Sequence, residues 1–83
     1  MAKEGETINN EYYVQVGTWR NFNYAEMVIL KIKKYYPNAY IAKQNVFKII
    51  RVPGVLTKKQ GAIMSEDIEI KFNLKPIIVF KKQ

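Results

Sequence analysis

EYYVQVGTWRNFNYAEM, residues 11–27, is the stretch from which the fold of this chain is best predicted. Residues 12–19 alternate as a strand with one buried face does. Val14 and Val16 point to the buried face, and an amide flanked by two aromatic rings points the other way: Tyr13, Gln15 and Trp19. Rings and an amide left uncovered on a strand indicate a binding surface.

A turn and an amphipathic helix are predicted directly after this strand. Gly17 opens the turn, and Asn21 or Asn23 can cap a helix that begins just before Ala25. Pro37 ends it. Between these limits, apolar residues recur at helical spacing: Ala25, Val28, Ile29, Ile32 and Tyr35 or Tyr36.

The rest of the chain predicts a hairpin, a second helix and a last strand. Residues 39–42 and 46–52 form the hairpin around Gln44-Asn45, and residues 77–80 form the last strand. Thr57 caps the second helix, which Lys75-Pro76 ends. Its predicted apolar side is broad: Ile63, Met64, Ile68, Ile70, Phe72 and Leu74.

An internal repeat supports this order of elements. A shift of 37 residues lays Gly17 on Gly54 and Ala25 on Ala62, so each half is a strand-loop-helix-strand unit. Neither unit can bury a helix alone. Together they predict an α+β, ferredoxin-like or RNP-like βαββαβ fold, a four-stranded antiparallel sheet with two helices on one face.

The uncovered face of that sheet is the predicted site. Burying Ile50 and Val52 on the third strand turns Phe47, Ile49 and Arg51 outward. For Val16 and Val52 both to point inward relative to Gly17 and Gly54, a β-bulge is needed, and Pro53 is its predicted place. Lys48 is expected on the rim of this face. The predicted binding residues are Tyr13, Gln15, Trp19, Arg20, Asn21, Phe47 and Arg51.

The amino-acid composition limits the kinds of site that this chain can form. The 83 residues suffice for one small domain; residues 1–10 are predicted to be a disordered leader or linker and residues 11–82 the folded domain. The chain has no cysteine and no histidine, and we expect neither catalysis nor a metal or other cofactor. Residues 1–11 carry one lysine and three glutamates, so the overall charge of +7 leaves +9 on residues 12–83. Such a charge favours an anionic partner.

Three motifs resemble those of the SPOR domain, the sporulation-related repeat: YYVQVGTWRNFNYAE, IIRVPGVLTKKQGA and KPIIVF. The matching features are Val14-Gln15-Val16-Gly17-Thr18-Trp19, Ala25 eight residues after Gly17, Arg51-Val52, and a second Gly-to-Ala unit from Gly54 to Ala62. The resemblance covers about residues 11–82. The chain departs from the family pattern at Pro53-Gly54-Val55-Leu56, where the family has Gly-Pro-aromatic.

The resemblance implies a module that binds peptidoglycan glycan strands stripped of stem peptides, which are enriched at division sites. It also implies a location in the cell envelope, on the periplasmic or extracytoplasmic side, within a larger membrane-anchored or hydrolase protein. Family positions carried over to this chain are Gln15, Trp19 and Arg51. Muramic acid without its peptide exposes a carboxylate, which suits arginine, and pyranose rings suit aromatic side chains.

Two other interpretations stay open at this point. An RNA-binding module of RRM-like topology would use the same two central strands and the same charge. Against it, FKIIRVPG lacks the K/R-G-aromatic-G/A-aromatic run of that family. A protein-interaction module would bury the aromatic face, with Trp19, in a dimer, whereas the glycan-binding interpretation predicts a monomer.

Overall fold

The structure is a computed structural model that describes residues 12–80, so the predicted leader at 1–10 lies outside the described residues. The order βαββαβ is confirmed. The elements are β1 (Tyr12–Trp19), α1 (Phe22–Lys33), β2 (Tyr40–Gln44), β3 (Phe47–Val55), α2 (Lys58–Phe72) and β4 (Ile77–Phe80).

The four strands form one antiparallel sheet in the order β2-β3-β1-β4, which is the ferredoxin-like arrangement. β1 and β3 therefore lie at the centre of the sheet. Both helices pack against the same face, and the core lies between them and the sheet. The buried residues of that core are Val14, Val16, Ile29, Ile32, Ala39, Ile50, Val52, Val55 and Ile68.

Helix α1 follows its predicted pattern closely. The side chain of Asn21 accepts a hydrogen bond from the backbone N–H of Tyr24 at 2.9 Å, so Asn21 is the cap. The predicted positions Ala25, Ile29 and Ile32 are buried. Of the two tyrosines that could extend the apolar stripe, Tyr36 packs against the core and Tyr35 is exposed.

Helix α2 confirms its predicted cap but not the whole of its predicted apolar side. The Thr57 hydroxyl accepts from the N–H of Gln60 at 3.1 Å, and Asn73 ends the helix in a left-handed conformation, before Lys75-Pro76. Ile63 and Ile70 are 62% and 74% exposed, so placing them in the core was wrong. The reason is helical geometry: the stripe that faces the sheet runs at intervals of three and four residues through Gly61, Met64, Ile68 and Phe72.

The two halves of the repeat align differently from the predicted shift of 37. The helix caps Asn21 and Thr57 are 36 residues apart. The predicted shift laid Ala25 on Ala62, but Ala25 is buried and Ala62 is exposed, so the structural counterpart of Ala25 is the buried Gly61. Counted from the start of the helix to the start of the next strand, the second half is one residue longer than the first (58 to 77 against 22 to 40), so Ile41 and Ile78 keep the spacing of 37. The repeat is real in element order, and its register changes twice: the spacing is 37 at Gly17 and Gly54, 36 at the helices, and 37 again at the strands that follow them.

Two β-bulges interrupt the pairing of β1 with β3. One lies where Tyr12 pairs with Val55 and Val14 with Val52, so it includes the predicted residue Pro53 and its neighbour Gly54. The other lies where Gln15 pairs with Arg51 but Gly17 pairs with Ile50, which leaves Val16 as an extra residue in β1. The second bulge was not predicted, and it changes the direction of every later side chain in β1.

Candidate binding site on the open face of the sheet

One row of side chains crosses all four strands on the face opposite the helices. Arg51 of β3 pairs with Gln15 of β1 on one side and with Tyr40 of β2 on the other. Gln15 in turn pairs with Ile77 of β4. Directly paired residues of antiparallel strands point to the same side, and the sequence neighbours of Gln15 and Arg51 are buried in the core beneath the helices: Val14, Val16, Ile50 and Val52. We call these four residues, with Tyr13, the open-face row.

The guanidinium of Arg51 is the chemical centre of the row. Its carbon lies 4.9 Å from the centroid of the Tyr13 ring, a distance suited to a cation–π contact. Its Nε is buried and has no hydrogen-bond partner among residues 12–80. The buried Nε cannot reach a ligand, but the terminal nitrogens of a guanidinium held by a ring can form paired hydrogen bonds to a carboxylate or phosphate. The half-buried Gln15 amide stands beside it.

A second arginine–aromatic pair lies further along the same face. The Arg20 guanidinium carbon is 5.8 Å from the Phe47 ring centroid, and Phe47 is 40% exposed. Ile49 lies between Phe47 and Arg51 on β3 and is only 6% exposed, yet it does not belong to the core under the helices. Neighbouring side chains of the open face therefore cover it. The face combines three aromatic rings (Tyr13, Tyr40 and Phe47), two arginines and an apolar centre.

Trp19 is the main correction to the predicted site. The bulge at Val16 turns Trp19 to the helix side, where it packs against the core and against Tyr24, with ring centroids 6.3 Å apart. Its ring covers Gly17 so closely that a Cβ built there would lie 2.6 Å from Trp19 Cη2. Placing Trp19 on the open face was wrong, since strict alternation fails where a residue is inserted.

The structure also bears on the predicted rim residue Lys48 and on the predicted binding residue Asn21. Lys48 pairs with Trp19, so it lies on the helix side, and its Nζ donates to the Val46 carbonyl at 3.4 Å. The Asn21 carbonyl oxygen caps α1, which gives this residue a structural role. Any contact of Asn21 with a ligand stays a prediction. Of the predicted residues, the structure brings five to one face: Tyr13, Gln15, Arg20, Phe47 and Arg51.

Sequence reasoning missed Tyr40 and Ile77, which end the open-face row on the two edge strands. Tyr40 is 42% exposed and Ile77 is 54% exposed. A signal was available in β2, because burying Ile41 against the core places Tyr40 on the opposite face. The row is therefore wider than the two central strands, and it spans the sheet from edge to edge.

A cluster of titratable groups lies on the helix side, away from the open-face row. The Tyr36 hydroxyl donates to one oxygen of Asp67, and Lys71 Nζ donates to the other at 2.6 Å. Burial, helped by the hydrogen bond to Asp67, raises the pKa of Tyr36 to about 12. The bonds from Lys71 and Tyr36 lower the pKa of Asp67. This cluster connects α2 to the segment that follows α1.

Within residues 12–80, no three side chains of the His, Cys, Asp and Glu types gather closely enough to hold a metal ion. Neither helix in that range is long and apolar enough to cross a membrane. No protein-family model, curated protein or solved structure matches this chain. The resemblance to the SPOR domain therefore rests on the quoted motifs alone, and the chemistry of the open face has to support a function by itself.

Proposed function

We propose that this domain is a non-catalytic binding module for bacterial peptidoglycan, with a preference for glycan strands stripped of their stem peptides. In this proposal it acts at division sites in the cell envelope, as part of a larger membrane-anchored or hydrolase protein. The observation that carries the proposal is the position of the Arg51 guanidinium, 4.9 Å from the Tyr13 ring and beside Gln15 on an uncovered sheet.

Each group in the open-face row has a counterpart in a peptide-free glycan strand. The lactyl carboxylate of muramic acid, exposed once the peptide is removed, can accept paired hydrogen bonds from Arg51. The Gln15 amide can donate to and accept from an acetamido group. The rings of Tyr13 and Tyr40 offer flat apolar surfaces to pyranose rings. A strand still carrying peptides has an amide in place of the carboxylate, so the preference for stripped glycan follows from Arg51.

Co-sedimentation with purified sacculi tests the proposal. We expect the domain to pellet with sacculi, and to pellet more after an amidase has removed the stem peptides. Arg51→Ala should weaken binding by roughly tenfold or more, since a charge-assisted hydrogen bond is worth about 1.5–3 kcal/mol. Lys59→Ala is the matched control, because it removes one exposed positive charge from the helix layer and none from the sheet.

The outcomes separate this function from its rival. If neither form of sacculus is bound, or if Lys59→Ala weakens binding as much as Arg51→Ala, the glycan hypothesis fails. An RNA-binding module would instead bind single-stranded RNA through the same face, which carries two aromatic–arginine pairs. Tighter binding of a mixed-sequence RNA oligonucleotide than of stripped glycan, lost in Arg51→Ala, would support that alternative.

A further inference from the structure

The helix layer carries a second surface that the open-face row does not explain. Along their described lengths, α1 and α2 are separated: no Cα of one lies within 8 Å of a Cα of the other. α1 therefore stands as a ridge with a groove on each side. The outward side of this ridge bears two large apolar residues one turn apart, Met27 and Leu30, which are 58% and 65% exposed.

The groove between the helices has a volume of about 470 Å³. Aromatic rings form much of its wall, and the ring of Tyr35 meets that of Phe72 edge-on at 5.8 Å. Lys71 Nζ lies 5.2 Å from the centroid of the Tyr35 ring. The side chains that give this groove its character are Tyr24, Tyr35, Phe72, Lys31, Lys34 and Lys71.

The groove on the other side of α1, towards β2, has a volume of about 480 Å³ and the same kind of lining. Lys43 Nζ lies 5.9 Å from the Phe22 ring centroid. Tyr40 and Leu30 are exposed beside them, and Lys33 completes the lining on the side of α1. Both flanks of the ridge thus combine aromatic rings with lysines.

Charge is concentrated on this surface. Five lysines line the two grooves against two carboxylates, Glu26 in the second groove and Asp67 beside the first, which gives a local net charge of +3. Lysines in the last turn of α1 also interact favourably with the negative end of the helix dipole. Lys71 lies in the last turn of α2 and is likewise placed well for the dipole of that helix, whereas no helix dipole explains Lys43, which comes from β2. Three elements therefore converge to make one basic, aromatic surface.

We propose that this ridge surface docks on an anionic lipid bilayer, with α1 lying in the plane of the interface. Lysines that flank exposed apolar side chains, with tyrosines at the margin, are the pattern by which a helix binds an anionic membrane surface. A polyanion such as RNA would attract the lysines but gives Met27 and Leu30 no apolar phase to enter. An acidic peptide would lie inside one groove, whereas exposed Met27 lines neither groove and exposed Leu30 lines only the second.

The bilayer would then lie on the opposite side of the domain from the open-face row. This inference does not depend on what the row binds, because it uses none of the same side chains except Tyr40, which lies at the sheet edge. If both proposals hold, the domain would sit between a membrane surface and a glycan strand and contact both at once.

Flotation with lipid vesicles tests the charge part of the proposal. We expect the domain to float with vesicles of phosphatidylglycerol and phosphatidylcholine, and much less with phosphatidylcholine alone. Lys31→Gln with Lys34→Gln should lower the partition coefficient by about fivefold for each lysine removed. The matched control is Lys58→Gln with Lys59→Gln, which removes the same charge from exposed positions outside both grooves.

A second pair of variants tests whether the apolar ridge enters the bilayer. Met27→Gln with Leu30→Gln should reduce flotation by tenfold or more, since each side chain loses the gain of leaving water. Ile63→Gln with Ile70→Gln is the control, because these residues of α2 are equally exposed but lie outside both grooves. Circular dichroism of each variant confirms that it is folded.

Several results would overturn the proposal. Absence of flotation with anionic vesicles would do so, as would equal losses in the Lys31/Lys34 and Lys58/Lys59 variants. Full flotation of the Met27/Leu30 variant would show simple charge attraction without docking. Binding of poly-glutamate that is as tight as vesicle binding, and that is lost in the same variants, would identify an acidic protein segment as the occupant instead.

Discussion

The two halves of this domain share one order of elements, but they bury their helices in different ways. α1 presents three buried residues to the sheet, and its apolar stripe is continuous. α2 buries only Gly61 and Ile68, and it leaves its other two isoleucines, Ile63 and Ile70, in solvent. A Cβ built on Gly61 would lie 3.2 Å from Ile78, so α2 approaches the sheet closely at that residue.

The comparison shows two solutions to the same packing problem. α1 fills its space with the branched side chains of Ile29 and Ile32, whereas α2 uses Gly61 to bring its backbone near β4 and buries only one large residue, Ile68. The alignment of the halves at 36 residues makes the two helices directly comparable: Ala25 corresponds to Gly61, and Ile32 corresponds to Ile68. Substitutions at equivalent positions can therefore test the comparison.

The largest effect is expected where the two halves agree. Ile32 and Ile68 are both fully buried, so each substitution to alanine should lower the free energy of unfolding by about 2–5 kcal/mol. Urea unfolding followed by circular dichroism measures this. Where the alanine variant is unfolded in buffer, Ile→Val at the same position should cost about 0.5–1.5 kcal/mol.

Ile70→Ala provides the control for this pair. Ile70 is 74% exposed, so its loss should change the free energy of unfolding by no more than about 0.5 kcal/mol. If Ile70→Ala cost as much as Ile68→Ala, α2 would face the sheet through the broad apolar side that its sequence suggests. The described packing of the second half would then be wrong.

The next effect separates two glycines that the repeat lays on each other. Gly17 lies beneath the Trp19 ring, and an added Cβ would approach Cη2 to 2.6 Å, so Gly17→Ala must displace the ring. We expect a loss of about 1–3 kcal/mol, typical of overpacking. Trp19 is the only tryptophan, so its emission should shift towards that of an exposed indole.

Gly54 should respond differently. It has φ +89° and no atom within 4 Å of an added Cβ, so Gly54→Ala costs backbone strain of about 1–2 kcal/mol without a clash. The tryptophan emission of this variant should match that of the native domain. An equal shift in both variants would mean that the two glycines share one role, contrary to the structure.

These glycines also show which parts of the fold can be predicted from the sequence. Alternation and helical period predict all six elements, and the need to turn both Val16 and Val52 inward predicts the bulge at Pro53. The bulge at Val16 was missed, although a glycine inside a strand pattern is a recognised sign of a bulge or of close approach. Strict alternation was extended through Gly17 to Trp19, and that single step put the tryptophan on the wrong face.

The rest of the candidate site depends on which strands are neighbours in the sheet. Tyr13, Gln15 and Arg51 could be assigned to the open face from β1 and β3 alone, because burial of their valine neighbours fixes their direction. The pairing of Arg51 with Tyr40 depends on the hairpin register, which shifts with the exact turn residues. In the structure, Asn45-Val46 forms the turn and Asn45 takes a positive φ of 59°, one residue later than predicted.

The smallest predicted effect concerns a difference between the two halves that involves one oxygen atom. Tyr36 and Phe72 occupy equivalent positions, and both pack against the core, but only Tyr36 carries a hydroxyl, which donates to Asp67. Tyr36→Phe should therefore keep the packing and lose about 0.5–1.5 kcal/mol at neutral pH. Tyr35→Phe is the control, because Tyr35 is exposed and its hydroxyl makes no described contact with Asp67.

The pH dependence of this difference follows from the pKa of Tyr36, which is raised from 10.0 to about 12 in the folded domain. A raised pKa means that the neutral phenol is favoured by folding, so its contribution is complete below pH 10 and is lost as the pH rises towards 12. The lowered pKa of Asp67 affects stability at acidic pH. The ionised carboxylate stabilises the folded domain above pH 3.8, and this stabilisation is lost in more acidic solution. In Tyr36→Phe, the bond from Lys71 preserves part of this stabilisation. Urea unfolding should therefore give the native domain a higher free energy of unfolding than Tyr36→Phe at pH 7, and this difference should disappear at pH 11.5. An advantage that stays constant between the two would mean that the Tyr36–Asp67 bond does not contribute to stability, and that the two halves differ here in chemistry but not in energy.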